Sequence, residues 1–398
     1  MTTWIAVPTY WTHAASKPDE EQVVFDHPTP LDEEGTLART LESFRGLKGP
    51  FRVVVVAAGT HPAIGSPIHD KVSALIRPFA ASYPVYCVSP ANLPALNRML
   101  PEPILKLDSY GNIRNVQLAL PFAAGAGLVV GIDDDEVVED ADYLGKVDAA
   151  VGSTHQGRTV AGIAGPYFDA QGEYRIAGAE ELAACDNIFL KKNYFMNEAL
   201  KKVMEPRGAR QIVRSNVAFG GNMAMARETI ASVCHDPYIP RGEDYDYVIN
   251  AAMSGLFFCF LPGVGIVHLP PDSTGSQAAD TASKLLADIR RFIYMAEKLR
   301  YHAEHFPPER FDLGYLQPYP GCYLDKAIDL RAHGIEAIRR KIPAGTIASP
   351  EAFVDEAVSL AAIKAREFFA YREKWQKVLS ALANRPVPTE AIKSFRVR

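Results

Sequence analysis

The stretch LVVGIDDD, residues 128–135, determines both the fold class and the position of the candidate site. Its apolar, β-branched run predicts a buried strand, and this run stops abruptly on three carboxylates. Because side chains alternate along a strand, we expect Asp133 and Asp135 to point to one side and Asp134 to the other. Paired carboxylates at a strand end suit a hard divalent cation, which prefers oxygen ligands. A solvated acidic turn is the alternative interpretation.

The chain before this stretch alternates between strand and helix patterns, which is typical of an α/β domain with a mainly parallel sheet. The unbroken β-branched run at residues 52–59 suits a strand that is buried on both faces. In such sheets, ligands bind outside the carboxyl ends of the strands, where the three aspartates lie. The predicted strands are residues 4–7, 52–59, 85–88 and 128–132, and the predicted helices are residues 36–44, 69–79 and 112–124.

The second half of the chain continues the mixed pattern and then becomes helical. Residues 180–210 show no clear periodicity, and we assign them no element. The change in composition after Pro270-Pro271 predicts a boundary near residue 275, with an α/β domain at 1–275 and a helical C-terminal region at 276–398. The predicted strands are residues 160–165, 256–260 and 265–269, the predicted hairpin or loop is 171–179, and the predicted helices are 142–155, 227–233, 247–253, 278–301, 324–340 and 351–382.

Composition and charge exclude several classes of protein. The chain has 398 residues, of which 48% are hydrophobic and 22% charged, as expected of a globular protein. A formal net charge of -5 predicts neither nucleic-acid nor anionic-membrane binding, and pairs such as Lys191-Lys192 are expected on solvated helix faces. Five cysteines without a CxxC pair predict no disulfide framework and no zinc site.

The same survey predicts a cytoplasmic protein. The first ten residues lack the basic leader of a secretory signal. The longest apolar run, residues 118–132, is shorter than the roughly 20 residues that a spanning helix needs, so we expect no transmembrane segment. A homo-oligomer stays possible.

The order of five short motifs resembles that of GT-A fold glycosyltransferases, and of family 2 most closely. These enzymes have a Rossmann-like α/β fold, and the resemblance covers about residues 4–270. It implies that the chain transfers a sugar from a nucleoside diphosphate sugar to the hydroxyl of a small-molecule or glycan acceptor. The motifs are GNIRN at 111–115, IDDD at 132–135, GGN at 220–222, GED at 242–244 and VH at 267–268.

The resemblance implies a divalent metal site for Mn2+ or Mg2+. Asp133 and Asp135 correspond to the Asp-x-Asp motif that holds the metal on the donor diphosphate, and His268 corresponds to a histidine that completes the site. Neutral imidazole is a good ligand for Mn2+, and the metal would neutralise the departing diphosphate. A histidine that merely ends a strand is the alternative.

The resemblance also assigns the catalytic side chains. Asp244 corresponds to the acid that accepts the acceptor's proton in inverting enzymes, a role that needs hydrogen-bond reach and a pKa raised by partial burial. Glu243 and Asp246 are the alternatives. Acidic residues are also favoured in a first helical turn by the helix dipole alone, without any catalytic role.

The remaining implied contacts belong to the donor and the acceptor. Arg241 is expected to bind a phosphate or an acceptor anion. The second predicted strand ends on residues 57–60 without the acid that usually binds the nucleobase, so the sequence does not indicate which nucleobase the donor carries. The expected donor-binding residues are Pro8, Thr9, Tyr10, Arg114, Asn115, Asp133 and Asp134, and the expected pocket residues are Gly220, Gly221, Asn222, Arg241 and Asp246.

Three other functions are compatible with the sequence. Retaining GT-A enzymes that make mannosylglycerate or glucosyl-3-phosphoglycerate also carry C-terminal helices and a late metal-binding histidine. Residues 133–137 fit the signature of haloacid-dehalogenase-like phosphatases, although that family places its motif after the first strand. A non-catalytic module that binds a nucleotide or a protein partner is the third.

Overall fold

Apolar runs of the sequence form a large central sheet with helices packed around it. A computed structural model of the chain describes residues 2–14, 25–205, 211–271, 277–306 and 314–398. The strands are β1 (Thr3–Thr12), β2 (Thr29–Pro30), β3 (Phe51–Gly59), β4 (Val85–Val88), β5 (Leu128–Gly131), β6 (Glu136–Val137), β7 (Thr154–His155), β8 (Arg158–Ala164), β9 (Tyr167–Phe168), β10 (Val213–Arg214), β11 (Met223–Ala226), β12 (Phe257–Phe260) and β13 (Ile266–His268).

The helices flank this sheet and form most of the C-terminal region. They are α1 (Leu37–Ser43), α2 (Gly65–Ile76), α3 (Leu93–Met99), α4 (Tyr110–Ala123), α5 (Tyr143–Ala150), α6 (Lys192–Met204), α7 (Arg227–Ser232), α8 (Glu243–Met253), α9 (Gln277–His305), α10 (Leu330–Lys341), α11 (Pro350–Asn384) and α12 (Thr389–Lys393). Among the described residues, no helix is long and apolar enough to cross a membrane.

The large sheet has the strand order β10-β12-β8-β11-β5-β1-β3-β4. The pairings β12–β8, β5–β1, β1–β3 and β3–β4 are parallel, whereas β11 runs antiparallel to both of its neighbours. Strands β4 and β5 are buried along their whole length, because helices cover both faces of the sheet. The predicted fold class is therefore confirmed: an α/β domain with a mainly parallel sheet, followed by a helical region.

A small second sheet, β6-β13-β9, lies at the carboxyl end of β5. In this sheet β13 pairs antiparallel with β6, which places His268 opposite Glu136. The amide of Leu269 donates to the carbonyl oxygen of Asp135 over 2.8 Å. These main-chain bonds bring a strand from the end of the α/β part alongside the three aspartates.

Element boundaries differ from the sequence predictions in several places; for example, β1 extends to Thr12 rather than ending at residue 7, and α10 begins at Leu330 rather than at residue 324. Helix α3 lies in a proline-containing stretch for which no helix was predicted, and Pro94 lies in its first turn, where proline is tolerated. Helix α5 ends at Ala150 rather than at 155, because Thr154–His155 forms a strand that pairs with β8. Helix α6 occupies most of the second half of the unassigned stretch.

The C-terminal helices share one hydrophobic core with a face of the sheet. This core contains Val54 of β3 and Ile113 of α4 together with Phe368 of α11. The indole nitrogen of Trp375 also donates to the carbonyl oxygen of Ile230 over 2.7 Å. The predicted domain boundary near residue 275 lies outside the described residues and stays a prediction.

A buried ion cluster fastens α9 to α8. The ammonium group of Lys298 is fully buried and donates to Asp236 over 2.8 Å, to Asn250 over 3.1 Å and to Asp246. Tyr294 of α9 also donates to Asp236, over 2.6 Å. Buried ions are tolerated only when they are paired, so each charge in this cluster depends on the others.

The Lys298 cluster predicts a large stability effect. Lys298→Met removes the cation and leaves two buried carboxylates without it, so we expect the free energy of unfolding to fall by about 3–5 kcal/mol in a urea titration. Arg300→Met is the control, because Arg300 lies on the same helix in an exposed ion-paired network, and we expect it to leave the free energy of unfolding nearly unchanged. Equal losses in the two variants would contradict the assigned role of Lys298.

Candidate active site

The three aspartates follow the carboxyl end of β5 in a turn rather than in the strand. The strand ends at Gly131, and the amide of Glu136 donates to the carbonyl oxygen of Asp133 over 3.3 Å. Strand alternation therefore does not apply to these residues. The prediction that Asp133 and Asp135 act together is not met in this geometry, since Asp133 contacts Arg114 and Asp135 contacts His268.

Asp135 and His268 form the pair that could hold a metal ion. Nε2 of His268 lies 3.1 Å from Oδ2 of Asp135. The Asp135 side chain is 20% exposed and that of His268 is 39% exposed, so an ion could reach them from solvent. Burial acts to lower the pKa of His268, but the hydrogen bond that the imidazole donates to Asp135 and the negative charge of Asp135 outweigh burial and raise this pKa.

The Asp135–His268 pair by itself does not complete the coordination shell of a metal ion. Within the described residues, no group of three or more His, Cys, Asp or Glu side chains is arranged to hold an ion. A carboxylate oxygen and an imidazole nitrogen are nevertheless suitable donors for Mn2+, and such cations often take their remaining ligands from substrate phosphates and water. The two residues thus fit a metal that binds together with a diphosphate.

Arg114 of α4 connects the aspartate turn with the start of α8. Its guanidinium donates to both oxygens of Asp133, over 2.6 and 3.1 Å, and its Nε donates to Oε1 of Glu243 over 3.1 Å. The Arg114 side chain is only 7% exposed. Asp133 and Glu243, which were expected to act as a metal ligand and as an alternative base, are therefore held by the same cation.

Asp244 lies in the first turn of α8 and faces the glycine segment. Its Oδ2 accepts a hydrogen bond from the Gly220 amide over 3.2 Å, and its Oδ1 accepts one from the Tyr245 amide over 2.7 Å. Burial, followed by the charge of Glu243, raises the pKa of Asp244 to about 6. A half-buried carboxylate with this pKa can accept a proton near neutral pH.

The GGN segment shapes the loop that carries these contacts. Gly220 packs against Arg114, and a Cβ at Gly220 would lie 2.4 Å from a guanidinium nitrogen. The Gly221 amide donates to the Tyr167 hydroxyl over 2.7 Å. Asn222 is buried, and its side-chain amide donates to the carbonyl oxygens of Pro166 and Val264. Asn222 is therefore placed to hold the loop and not to line a pocket, in contrast to the prediction.

Two further predicted contact residues lie in the interior. Asn115 is fully buried and exchanges hydrogen bonds of 2.9 and 2.8 Å with the backbone of His235. Asp246 belongs to the buried Lys298 cluster. Both side chains face the protein interior rather than a pocket, and the local sequence does not reveal this.

The end of β1 has an aromatic surface. Pro8 and Thr9 are buried, whereas the partly exposed Tyr10 lies against Phe25, at 4.8 Å between ring centroids, and against Tyr110, at 5.4 Å. Asp134, from the aspartate turn, has its pKa raised to about 8 by burial. Of the three predicted donor-binding residues on β1, Tyr10 is therefore the one whose side chain a planar group could contact.

Sequence reasoning missed Glu136, which supports the aspartate turn. Its side chain is fully buried, and its Oε2 accepts a hydrogen bond from the Asp133 amide over 2.7 Å. Burial, followed by the charge of Asp133, raises the pKa of Glu136 well above its usual value. Its position directly after three aspartates was the available signal, but an acid at the start of a short strand is ordinarily exposed.

Comparisons with known proteins find similarity in solved structures alone. No protein-family model matches the chain, and no curated protein matches it. A mannosyltransferase from Pyrobaculum calidifontis, solved with GDP-Man and Mn2+, is 13% identical, with a TM-score of 0.46 over 96% of this chain and 84% of that chain.

Two other matching structures are also glycosyltransferases. GalNAc-T7, solved with UDP, GalNAc and Mn2+, is 12% identical, with a TM-score of 0.41 over 93% of this chain and 56% of that chain. Glucosyl-3-phosphoglycerate synthase from Mycobacterium tuberculosis, solved with Mn2+, uridine diphosphate and phosphoglyceric acid, is 14% identical, with a TM-score of 0.37 over 72% of this chain and 76% of that chain.

The contact between Gly221 and Glu136 gives a prediction for the loop. A Cβ at Gly221 would lie 2.1 Å from Oε2 of Glu136, which is buried and bonded to the Asp133 amide. We expect Gly221→Ala to lower the free energy of unfolding by about 1–3 kcal/mol in urea. Gly46→Ala is the control, because nothing lies within 4 Å of a Cβ there. If Gly221→Ala leaves the free energy of unfolding unchanged, the loop can move to make room for the added Cβ and the predicted clash with Glu136 is contradicted.

Proposed function

We propose that the chain is a metal-dependent glycosyltransferase that moves a sugar from a nucleoside diphosphate sugar to a hydroxyl acceptor with inversion. One observation carries this proposal: Asp135 and His268, which are far apart in the sequence, meet at the carboxyl end of β5, at 3.1 Å between Nε2 and Oδ2. Ligand binding is expected at this edge of a parallel sheet. The order of the motifs in the sequence supports the same function.

The metal-binding residues in this proposal are Asp135 and His268. When bound, Mn2+ or Mg2+ would neutralise the negative charge that develops on the departing diphosphate. Asp133 acts through Arg114, which fixes the aspartate turn relative to α8. Asp134 and Tyr10 remain the proposed donor contacts, with the Tyr10 ring available to a nucleobase at the end of β1.

Asp244 is the proposed general base. Its carboxylate is partly exposed and is oriented by the amides of Gly220 and Tyr245. With a pKa of about 6 it is largely ionised at neutral pH and can take the proton of a hydroxyl as that oxygen attacks the sugar. Glu243 is less suited to this role because Arg114 already occupies one of its oxygens.

Metal-dependent nucleotide binding tests the Asp135–His268 pair. In a thermal-shift panel of UDP, GDP, dTDP and ADP, we expect one nucleotide to raise the melting temperature of the wild type only with Mn2+ present, since a ligand of the folded state stabilises it. Asp135→Asn should lose most of this shift. Asp140→Asn, in the same segment but paired with Lys146, should keep it. An unchanged Mn2+ dependence in Asp135→Asn would refute the metal assignment.

The pH profile tests the role of Asp244. A base works in its ionised form, so kcat/KM should rise with pH through an inflection near 6 rather than near the usual aspartate pKa of about 4. Asp244→Asn should reduce kcat by at least about 100-fold and remove the inflection. Asp186→Asn, an exposed surface acid, is the control.

The anomeric configuration of the product tests inversion directly. Inversion is expected if Asp244 activates the acceptor hydroxyl, and proton NMR of the product reports the configuration. A product that retains the donor's configuration would remove Asp244 from the role of base.

A further inference from the structure

Three cations meet beside the start of α8, and we refer to Lys192, Arg241 and Arg291 as the cationic cluster. Lys192 begins α6, Arg241 precedes α8, and Arg291 lies on α9. Their common neighbour is Asp288, also on α9. Lys192 was expected on a solvated helix face, but its side chain is mostly buried against Asp288.

Asp288 cannot satisfy all three cations. Its Oδ2 accepts a hydrogen bond from Lys192 over 2.6 Å. Its Oδ1 lies 3.8 Å from both Nε of Arg241 and Nη1 of Arg291, which is too long for a hydrogen bond. The two guanidinium groups are therefore oriented around a carboxylate that neither of them bonds.

Arg291 is the most costly member of the cluster. Its side chain is only 4% exposed, yet its Nε and Nη2 have no hydrogen-bond partner among the described residues. Nη1 of Arg241 is likewise buried without a partner in that part of the chain. Arginine stays charged in proteins, and a buried charged donor without an acceptor is strongly unfavourable, so a ligand with several acceptor oxygens would satisfy these groups.

The position of Arg291 is fixed against the segment that carries Asp244. A Cβ at Gly242 would lie 2.1 Å from Cζ of Arg291, so only glycine leaves room for the guanidinium there. The aromatic rings of Tyr245 and Tyr319 flank it, at 5.7 and 5.8 Å from Cζ to the ring centroids. Arg291 thus reaches the backbone two residues before the proposed base.

The neighbouring acids leave positive charge available to a ligand. Asp244 interacts electrostatically with Arg291, but its two oxygens already accept hydrogen bonds from backbone amides. Asp26 lies 3.9 Å from Arg241, but it is 48% exposed, and a pair of this kind contributes little. In the buried part of the cluster, three cations face the two carboxylates of Asp288 and Asp244.

We propose that the cationic cluster binds an anionic group, a phosphate or a carboxylate, on the acceptor molecule. This inference rests on the proposed function and names the class of its acceptor: a hydroxyl compound that carries a negative charge. Arg291 and Arg241 would bind the charged group through paired N–H donors, a geometry that suits planar or tetrahedral oxyanions. The acceptor hydroxyl would then be directed toward Asp244.

The test measures the binding of inorganic phosphate by isothermal titration calorimetry, without nucleotide or metal. Wild-type protein should bind it, and Arg291→Met and Arg241→Met should each weaken binding about tenfold or more. Arg290→Met is the matched control, because Arg290 is the neighbouring residue on α9 and forms an exposed pair with Glu356. If Arg291→Met does not fold, the phosphate affinity of Arg241→Met alone tests the proposal. A parallel titration with malonate tests a carboxylate in the same way. Wild-type protein that binds neither phosphate nor malonate, or variants that bind the anion equally well, would overturn the proposal.

A second titration separates the acceptor anion from the donor diphosphate. It repeats the phosphate titration in the presence of Mn2+ and the nucleotide that the thermal-shift panel selects. Undiminished phosphate affinity supports a separate acceptor subsite, whereas competition assigns the cluster to the donor and overturns the proposal. Failure of the proposed function would differ from both results, since no nucleotide would then bind while phosphate binding could still be measured.

Discussion

The three hydrogen bonds that Arg114 donates to Asp133 and Glu243 are the interactions on which the rest of the site depends. One buried guanidinium joins Asp133, after β5, to Glu243, at the start of α8. Burial of either carboxylate without a cation would be strongly unfavourable, and so would burial of the cation without the carboxylates. The relative position of the strand end and the helix start is therefore set by charge pairing and not by packing alone.

The sequence predicted the layers of the fold well because their signals are local. The β-branched runs that became β3 and β5 and the periodic pattern of α11 are each readable within a short window. Boundaries were wrong where a turn intervened, as at Ala150, where α5 ends before a short strand. Helix α3 was not predicted because Pro94, in its first turn, gave the stretch the pattern of a loop.

The site was predicted less completely because its contacts are long-range. The pairing of Asp135 with His268 agrees with the resemblance that the motifs suggested. By contrast, Asn115, Asn222 and Asp246 lie inside the protein, and no local pattern distinguishes a polar residue that faces a pocket from one that bonds backbone. Arg291 could not be found from the sequence, since the groups around it, apart from Asp288 on the same helix, come from elements dozens of residues away.

Because β13 pairs with β6 over only two residues, the position of His268 depends on the length of the segment that precedes β13. Successive side chains of a strand point to opposite faces, so a shift of one residue in this two-residue ladder would turn the imidazole away from Asp135. The length of the segment between β12 and β13, residues 261–265, therefore sets which side chain lies beside Asp135. Homologous chains that keep the histidine but alter the number of residues in this segment would present a different side chain to the aspartate.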